Sequence, residues 1–252
     1  MGSNNTDPNV KTAFRVAEII ETFARERKPL LLSEVARHLD APVSSCLALL
    51  RTLIESGYIY ETGRRQGYYP TGRLLTMAKR ISDADPILAK VSSALHDLCD
   101  ATAETIIFAK LESNDKIMFL EVVESPQAIR YVAMPGTQRD VHTNSLGKAL
   151  LSTLGADVRH KLLTAQPLNR YNDQTVTDAV QIENDIKQSI QRGWFETLGE
   201  TVPGVGTIAW PLKVSGNDYA ISIAGPMFRI EPNLVNLVQK LRLVCASLEQ
   251  ST

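Results

Sequence analysis

The stretch from Leu32 to Ile59, LSEVARHLDAPVSSCLALLRTLIESGYI, constrains the fold more than any other part of the chain. Ser33 and Glu34 favour a helix start, and Val35, Ala36 and Leu39 then recur at helical spacing. After an Asp40–Ala41 turn, Pro42 suits the first helical position. Leu49, Leu50, Leu53 and Ile54 form a second apolar stripe, closed by Gly57. Upstream, Val16, Ile19, Ile20 and Phe23 predict one face of a helix over 11–26, stopped by Pro29. Downstream, YIYETGRRQGYYP alternates like a hairpin with a Gly- and Arg-bearing tip. Helix, helix, helix, β-ribbon is the order of a winged helix-turn-helix, which lays the start of its second hairpin helix in the DNA major groove.

Charge supports that use. From Val10 to Arg80 there are 12 Lys and Arg against 7 Asp and Glu, whereas Ile81 to Thr252 carries 15 against 20. A basic first third on an acidic body suggests a polyanion-binding module joined to something with another task. At the start of the second helix Ser44 and Ser45 can hydrogen-bond bases or phosphates, and Val43 can meet a thymine methyl. Leu47 lies on the same helix and Arg51 two turns on, within reach of the backbone. Lys11 and Thr12, with Arg64, Arg65 and Gln66 at the hairpin tip, are candidate phosphate or minor-groove contacts. Each has a plainer alternative: serines at a helix start can cap amides, and a basic tip can simply be solvated.

The remainder mixes strands and helices. Leu74 to Ile81 reads as a short linking helix, and Asp85–Pro86 as the start of another reaching about Cys99. ETIIFAKLE, KIMFLEVVE and AIRYVAM are apolar-rich candidate strands, as are WFETLGE, TIAWPLKV and YAISIAGP further on. SLGKALLSTL, ADVRHKLL, AVQIENDIKQSIQRG and a closing segment from about Pro232 to Leu248 have helical spacing. The expected fold is therefore α+β. Residues 1–72 form the winged helix-turn-helix, 73–84 a linker helix, and 85–252 a sensor-type sheet domain. At 252 residues with 44% hydrophobic content, two modest cores can be buried.

The motif LLLSEVARHLDAPVSSCLALLRTLIESGYI, followed by YPTGRLL, resembles the IclR family of bacterial transcriptional regulators, and the likeness continues through nearly the whole second domain. It implies a GAF-like α/β effector domain, double-stranded DNA and a small organic acid as partners, and a homodimer or homotetramer on a pseudo-palindromic site. The recognition helix departs from the family, which commonly carries Lys, then His or Tyr, then Arg where this chain has Val43, Leu47 and Ala48. More of the affinity is therefore expected from the wing and Arg51.

In the sensor domain, PGTQRDVHTNSLGKALLS resembles the family's signature segment, with His142, Gly147, Lys148 and Ala149 matching. By that resemblance, backbone amides near Ser145 and Leu146 cap the acid, as free amides at a helix start can. His142 is either a ligand contact or a structural hydrogen-bonder, and Lys148 a surface or helix-packing residue. Pyruvate- or glyoxylate-type members place an Asp, a Cys and two Ser where this chain has Thr197, Thr207, Ser222 and Ala224. Ala128 and Arg139 stand where the family often has apolar lining residues. Arg139 could pair with an effector carboxylate or point to solvent. Aromatics such as Phe108, Phe119 or Trp210 would suit an aromatic acid.

Other classes fit poorly. The four histidines are dispersed, GVGTIAWP does not open a helix after a strand, and ISIAGP lacks the flanking glycines of a serine elbow. No enzyme activity and no metal or other cofactor is expected, and the three scattered cysteines read as buried thiols. MGSNNTDPN has no signal-peptide core and no run reaches membrane-spanning length, so a cytoplasmic protein without membrane contact is expected.

Overall fold

A computed structural model describes residues 8–63 and 66–250, with the side chains of 8–10 left out. It divides into two compact units, 1–83 and 84–252. In the first, α1 (Pro8–Glu26), α2 (Leu32–His38) and α3 (Val43–Glu55) precede a ribbon of β1 (Ile59–Gly63) and β2 (Gly67–Pro70) and then α4 (Arg73–Asp83). Ile19, Phe23, Leu30, Val35, Cys46, Leu50, Leu53 and Ile59 form its core, so the apolar stripes of all three helices meet.

Local chemistry accounts for the boundaries. Pro42 immediately precedes α3 and is not its first residue. Likewise α2 begins at Leu32 and not at Ser33, because the Glu34 carboxylate accepts the Leu31 N–H at 2.8 Å. Gly57 ends α3 in a left-handed conformation, φ 74°, with its N–H on the Ile54 carbonyl and the Tyr58 N–H on that of Leu53. The ribbon is tied to the helices where Leu30 and Tyr68 exchange backbone hydrogen bonds of 3.1 and 2.8 Å.

The second unit begins at α5 (Leu88–Thr102), whose entry is capped by Asp85 Oδ1 accepting the N–H groups of Ile87 and Leu88. Then come β3 (Thr105–Leu111), β4 (Lys116–Val123), β5 (Gln138–Asp140), α6 (Ser145–Ser152), α7 (Ala156–Thr164) and α8 (Ala179–Arg192). β6 (Phe195–Leu198), β7 (Val205–Val214), β8 (Asn217–Pro226), the short α9 (Met227–Ile230), a 3-10 turn and α10 (Leu234–Gln250) complete it. The six strands pair antiparallel in the order β5-β4-β3-β8-β7-β6. Strand alternation divides the core in two. Ile106, Phe108, Ile208, Ile221 and Ile223 pack with the α5 and α10 residues Leu95, Leu98, Leu237 and Leu241. Their neighbours Ile107, Ala109, Ala209, Ala220 and Ala224 turn to the opposite face, against Leu146, Leu150, Ile182 and Ile186 of α6 and α8.

Several sequence expectations are corrected. AIRYVAM is not a strand; Ala128, Ile129 and Arg130 are exposed, and the strand beside β4 is Gln138–Asp140. An apolar run that cannot alternate between a buried and a solvated face gains nothing from sheet pairing there. Phe108 stacks on Tyr219 at 4.9 Å in the α5–α10 layer, and Trp210 packs beside that same layer. Neither lines a cavity on the α6 side.

Gly147 sets how closely α6 approaches the sheet connection. A Cβ there would collide with the backbone carbonyl of Val141, which cannot rotate away. Gly147→Ala should therefore lower stability by about 1–3 kcal/mol, measured by urea unfolding. An unchanged midpoint would show that the α6 entry tolerates displacement.

Candidate functional site

Two surfaces bring the predicted residues together. On the first unit, α3 buries Cys46, Leu50 and Leu53 along one face, which turns Val43, Ser44, Ala48 and Arg51 outward. Val43 is 52% exposed, beside the exposed Ser44. Ser45 and Leu47 are half-buried at the edge of this face. Lys11 and Thr12 are exposed on the first turns of α1, and Gln66 is exposed beside the ribbon tip. Arg64 and Arg65 lie outside the described residues.

The second is a cleft at the start of α6. Ile107, Phe119, Tyr131, Arg139, Asn144, Ser145, Leu146, Thr197, Glu200, Thr201, Val202, Val205, Thr207 and Ser222 line it. Its free volume is about 440 Å³ counting the open mouth, of which about 30 Å³ can host the centre of a water molecule, room for one or two waters. Asn144 caps α6, its Oδ1 accepting the Gly147 N–H at 3.0 Å. The amides of Ser145 and Leu146, earlier in the same turn, have no intrahelical partner. Ser145 Oγ donates to Thr207 Oγ1 at 2.7 Å, and Thr207 shares a second 2.7 Å hydrogen bond with Thr197 Oγ1. Register places Thr197 opposite Thr207, and Ala209 opposite Ser222. These hydroxyls thus come from three adjacent strands on the face that α6 covers.

Not every sequence candidate belongs to this lining. Ala224 is fully buried behind it, and Ala128 is exposed on a loop away from it. His142 is buried and its Nε2 lies 2.9 Å from the Asn169 carbonyl. Burial pushes its imidazole below the usual range despite that hydrogen bond and the nearby Asp140, and it faces a different depression from the α6 cleft. Arg139, by contrast, lines the cleft; its Nη1 donates to the Gln138 carbonyl and its buried Nε has no partner. Lys148 is not a surface residue. It is 3% exposed, with Nζ 2.7 Å from Asp185 and 2.8 Å from Glu200.

Glu200 and the β6–β7 turn fall within WFETLGETVPGVGTIAWPL, the segment that the sequence places on the far side of the pocket, but no local pattern singles out Glu200, and Tyr131 sits in a run that reads as a strand. Burial pushes the Glu200 carboxyl up, opposed by Lys148. Thr201 Oγ1 donates to the Thr143 carbonyl at 2.6 Å, and Thr175 Oγ1 to that of Glu200 at 2.7 Å, which fastens this turn over the cleft. Next to Arg139, Asp140 ties β5 to its neighbours by accepting from Lys116, from Tyr171 at 2.7 Å and from Asn169 at 2.9 Å.

Burial alone would raise the Asp140 carboxyl, but the donors Lys116, Tyr171 and Asn169 outweigh it and bring the pKa to about 2 from 3.8. The unfolded chain then binds the proton more readily, so this stabilisation is complete above the unfolded value and fades as pH falls toward 2. With the 40% exposure of Lys116 discounted, it amounts to about 1–2 kcal/mol. Asp140→Asn should lose this acid-sensitive component in pH-dependent unfolding; a wild-type acid profile would remove Asp140 as the anchor.

Among the described residues no group of three or more His, Cys, Asp or Glu could hold a metal ion, and no helix is long and apolar enough to cross a membrane. The profile of the IclR helix-turn-helix domain matches residues 12–63, and that of the bacterial transcriptional regulator IclR C-terminal domain matches 79–249. The HTH-type transcriptional regulator BhcR of Paracoccus denitrificans is 27% identical over 223 residues, covering 88% of this chain and 79% of that protein. The transcriptional repressor IclR of Escherichia coli is 25% identical over 229 residues, covering 90% and 84%. Among solved structures, an IclR homolog from Microbacterium hydrocarbonoxydans, crystallised in complex with 4-hydroxybenzoate, superposes with a TM-score of 0.79 at 25% identity, covering 95% of this chain and 98% of that one. With the two profiles accounting for most of its length, this chain belongs to the IclR family of bacterial transcriptional regulators.

Proposed function

We propose that the protein is a cytoplasmic homodimer or homotetramer that binds a pseudo-palindromic promoter site and responds to a small organic acid. The observation that carries the DNA half is the outward turn of the α3 start, with Val43 and Ser44 exposed while Cys46 and Leu50 anchor the helix from behind. Val43, Ser44, Ser45 and Leu47 meet base edges and adjoining phosphates in the major groove. Arg51, Lys11, Thr12, Arg64, Arg65 and Gln66 hold phosphates or enter the minor groove. Two copies related by a two-fold axis match a two-fold operator. We further propose residues 1–72 as the reader, 73–84 as the linker and 85–252 as the sensor and assembly domain.

Support for the acid half comes from the α6 cleft, where the amides of Ser145 and Leu146 and the hydroxyls of Thr197, Thr207 and Ser222 converge between apolar walls. Arg139 adds a donor for a carboxylate. As it stands the space admits only water-sized groups, so a ring must part the half-buried Tyr131 and the exposed Val202. 4-Hydroxybenzoate, the compound in the Microbacterium complex, is the first to try. Selective stabilisation of one arrangement of the reader domains by the acid then alters promoter occupancy.

Two measurements check this. Removing Arg51, Arg64 and Arg65 by alanine substitution should weaken binding to any duplex and reduce the salt slope by about 1 per lost phosphate contact; an unaltered slope would refute the assignment. Thr207→Phe fills the cleft and should abolish the acid-induced rise in Tm, which at a hundredfold excess over Kd corresponds to about 2.7 kcal/mol. A persisting rise would place the acid elsewhere.

A further inference from the structure

Among the described residues, the buried side-chain polar atoms without a hydrogen-bond partner include Arg139 Nε, Glu200 Oε2 and Ser222 Oγ, and all three residues line the α6 cleft. Such atoms are rarely left unsatisfied in a folded protein unless water or a ligand completes them. Their chemistry differs. Arg139 Nε can only donate, the Glu200 carboxylate oxygen accepts, and the Ser222 hydroxyl does either. Ser222 is 1% exposed, so the only space its hydroxyl faces is the cleft itself.

Charge sharpens the distinction. Glu200 Oε1 is paired with Lys148, but Lys148 also serves Asp185, so one ammonium is shared between two carboxylates. The trio is thus short of one positive charge, and among its carboxylate oxygens Glu200 Oε2 is buried without a donor. A plain monocarboxylate would satisfy Arg139 and the α6 amides, yet leave Glu200 Oε2 without a donor. It would also place a second anion near that oxygen in a site of low dielectric. The two charged groups come from separate elements: Arg139 sits on β5, and Glu200 follows β6.

Resting on the proposed effector role of this cleft, we infer that its ligand is a bifunctional acid. Its carboxylate lies toward Arg139 and the α6 start, and a hydroxyl or ammonium donor at its other end meets Glu200 Oε2. Ser222 bonds the body of the ligand from the sheet floor. Glu200 and Ser222 are then the residues that decide which acids are accepted, whereas Arg139 decides only that the ligand is an acid.

The test is calorimetric titration of the full-length protein with acids in matched pairs: glycolate against acetate, 4-hydroxybutyrate against butyrate, and 4-aminobenzoate against benzoate. In the size class that fits, the donor-bearing acid should bind at least about tenfold more tightly than its parent. Glu200→Gln should shrink that preference to below about threefold, by weakening the donor-bearing acid and relieving the repulsion felt by its parent. Because the Ser222 hydroxyl has no partner within the protein, Ser222→Ala removes no internal bond; it should keep the fold and still weaken the donor-bearing acid. Parents that bind as tightly as their substituted partners in every class that binds would overturn the inference and leave acid sensing in place. If no acid of either kind binds, acid sensing itself fails. An unaltered preference in both variants would remove Glu200 and Ser222 as determinants.

Discussion

The contact between Gly147 and the backbone of Val141 determines where α6 starts, and the sensor unit is organised around that point. Only a residue without a Cβ lets the first turn settle this low over the sheet. From there Asn144 can cap the helix, Ser145 reaches Thr207 across to β7, and Leu146 closes the apolar layer shared with α8. Placed an ångström higher, the helix would still be covered by Ile182 and Ile186, but its open amides would no longer face the hydroxyls of β6 and β7. The site is a consequence of close packing and not of any one polar residue.

A second layer of polar fastenings keeps the cleft narrow. Asp140, Asn169 and Tyr171 fasten the end of β5 beside Arg139; Thr143, Thr175 and Thr201 hold the β6–β7 turn. These hydrogen bonds connect segments far apart in the chain; two end on the Asp140 carboxylate and two on backbone carbonyls, those of Thr143 and Glu200. Ligand entry must disturb the turn bearing Glu200, Thr201 and Val202. Conversely, what occupies the cleft controls how that turn sits. This gives a physical means for a small molecule to be felt beyond its own contacts.

Much of this was legible in the sequence because it depends on local periodicity. The stripes of α1, α2 and α3, the Gly57 stop and the apolar runs of β7 and β8 are read directly from the order of residues. Ser145, Leu146, Thr197, Thr207 and Ser222 were found through resemblance to a family motif, and they do share one cleft. What stayed hidden is non-local. Lys148 looks like any helix-surface lysine until Asp185 and Glu200 arrive from α8 and the β6–β7 turn. AIRYVAM has strand composition but no free sheet edge, because β5 takes the position beside β4. Ala128 and Ala224 fell outside the cleft for opposite reasons, one on an exposed loop and one sealed beneath α6.

On the proposed function, two modules of opposite charge, one with its α3 face turned outward and one with the α6 cleft, work as a regulator only if their ligands influence each other. Linkage makes that influence reciprocal: whatever factor an acid imposes on DNA affinity, DNA must impose on acid affinity. The most direct measurement is therefore the Kd for promoter DNA with and without saturating acid, alongside the Kd for the acid with and without saturating DNA. Coupled modules require both to shift by the same factor, of about 5- to 150-fold. Affinities that stay independent within error would contradict a regulator whose cleft governs its grip on DNA.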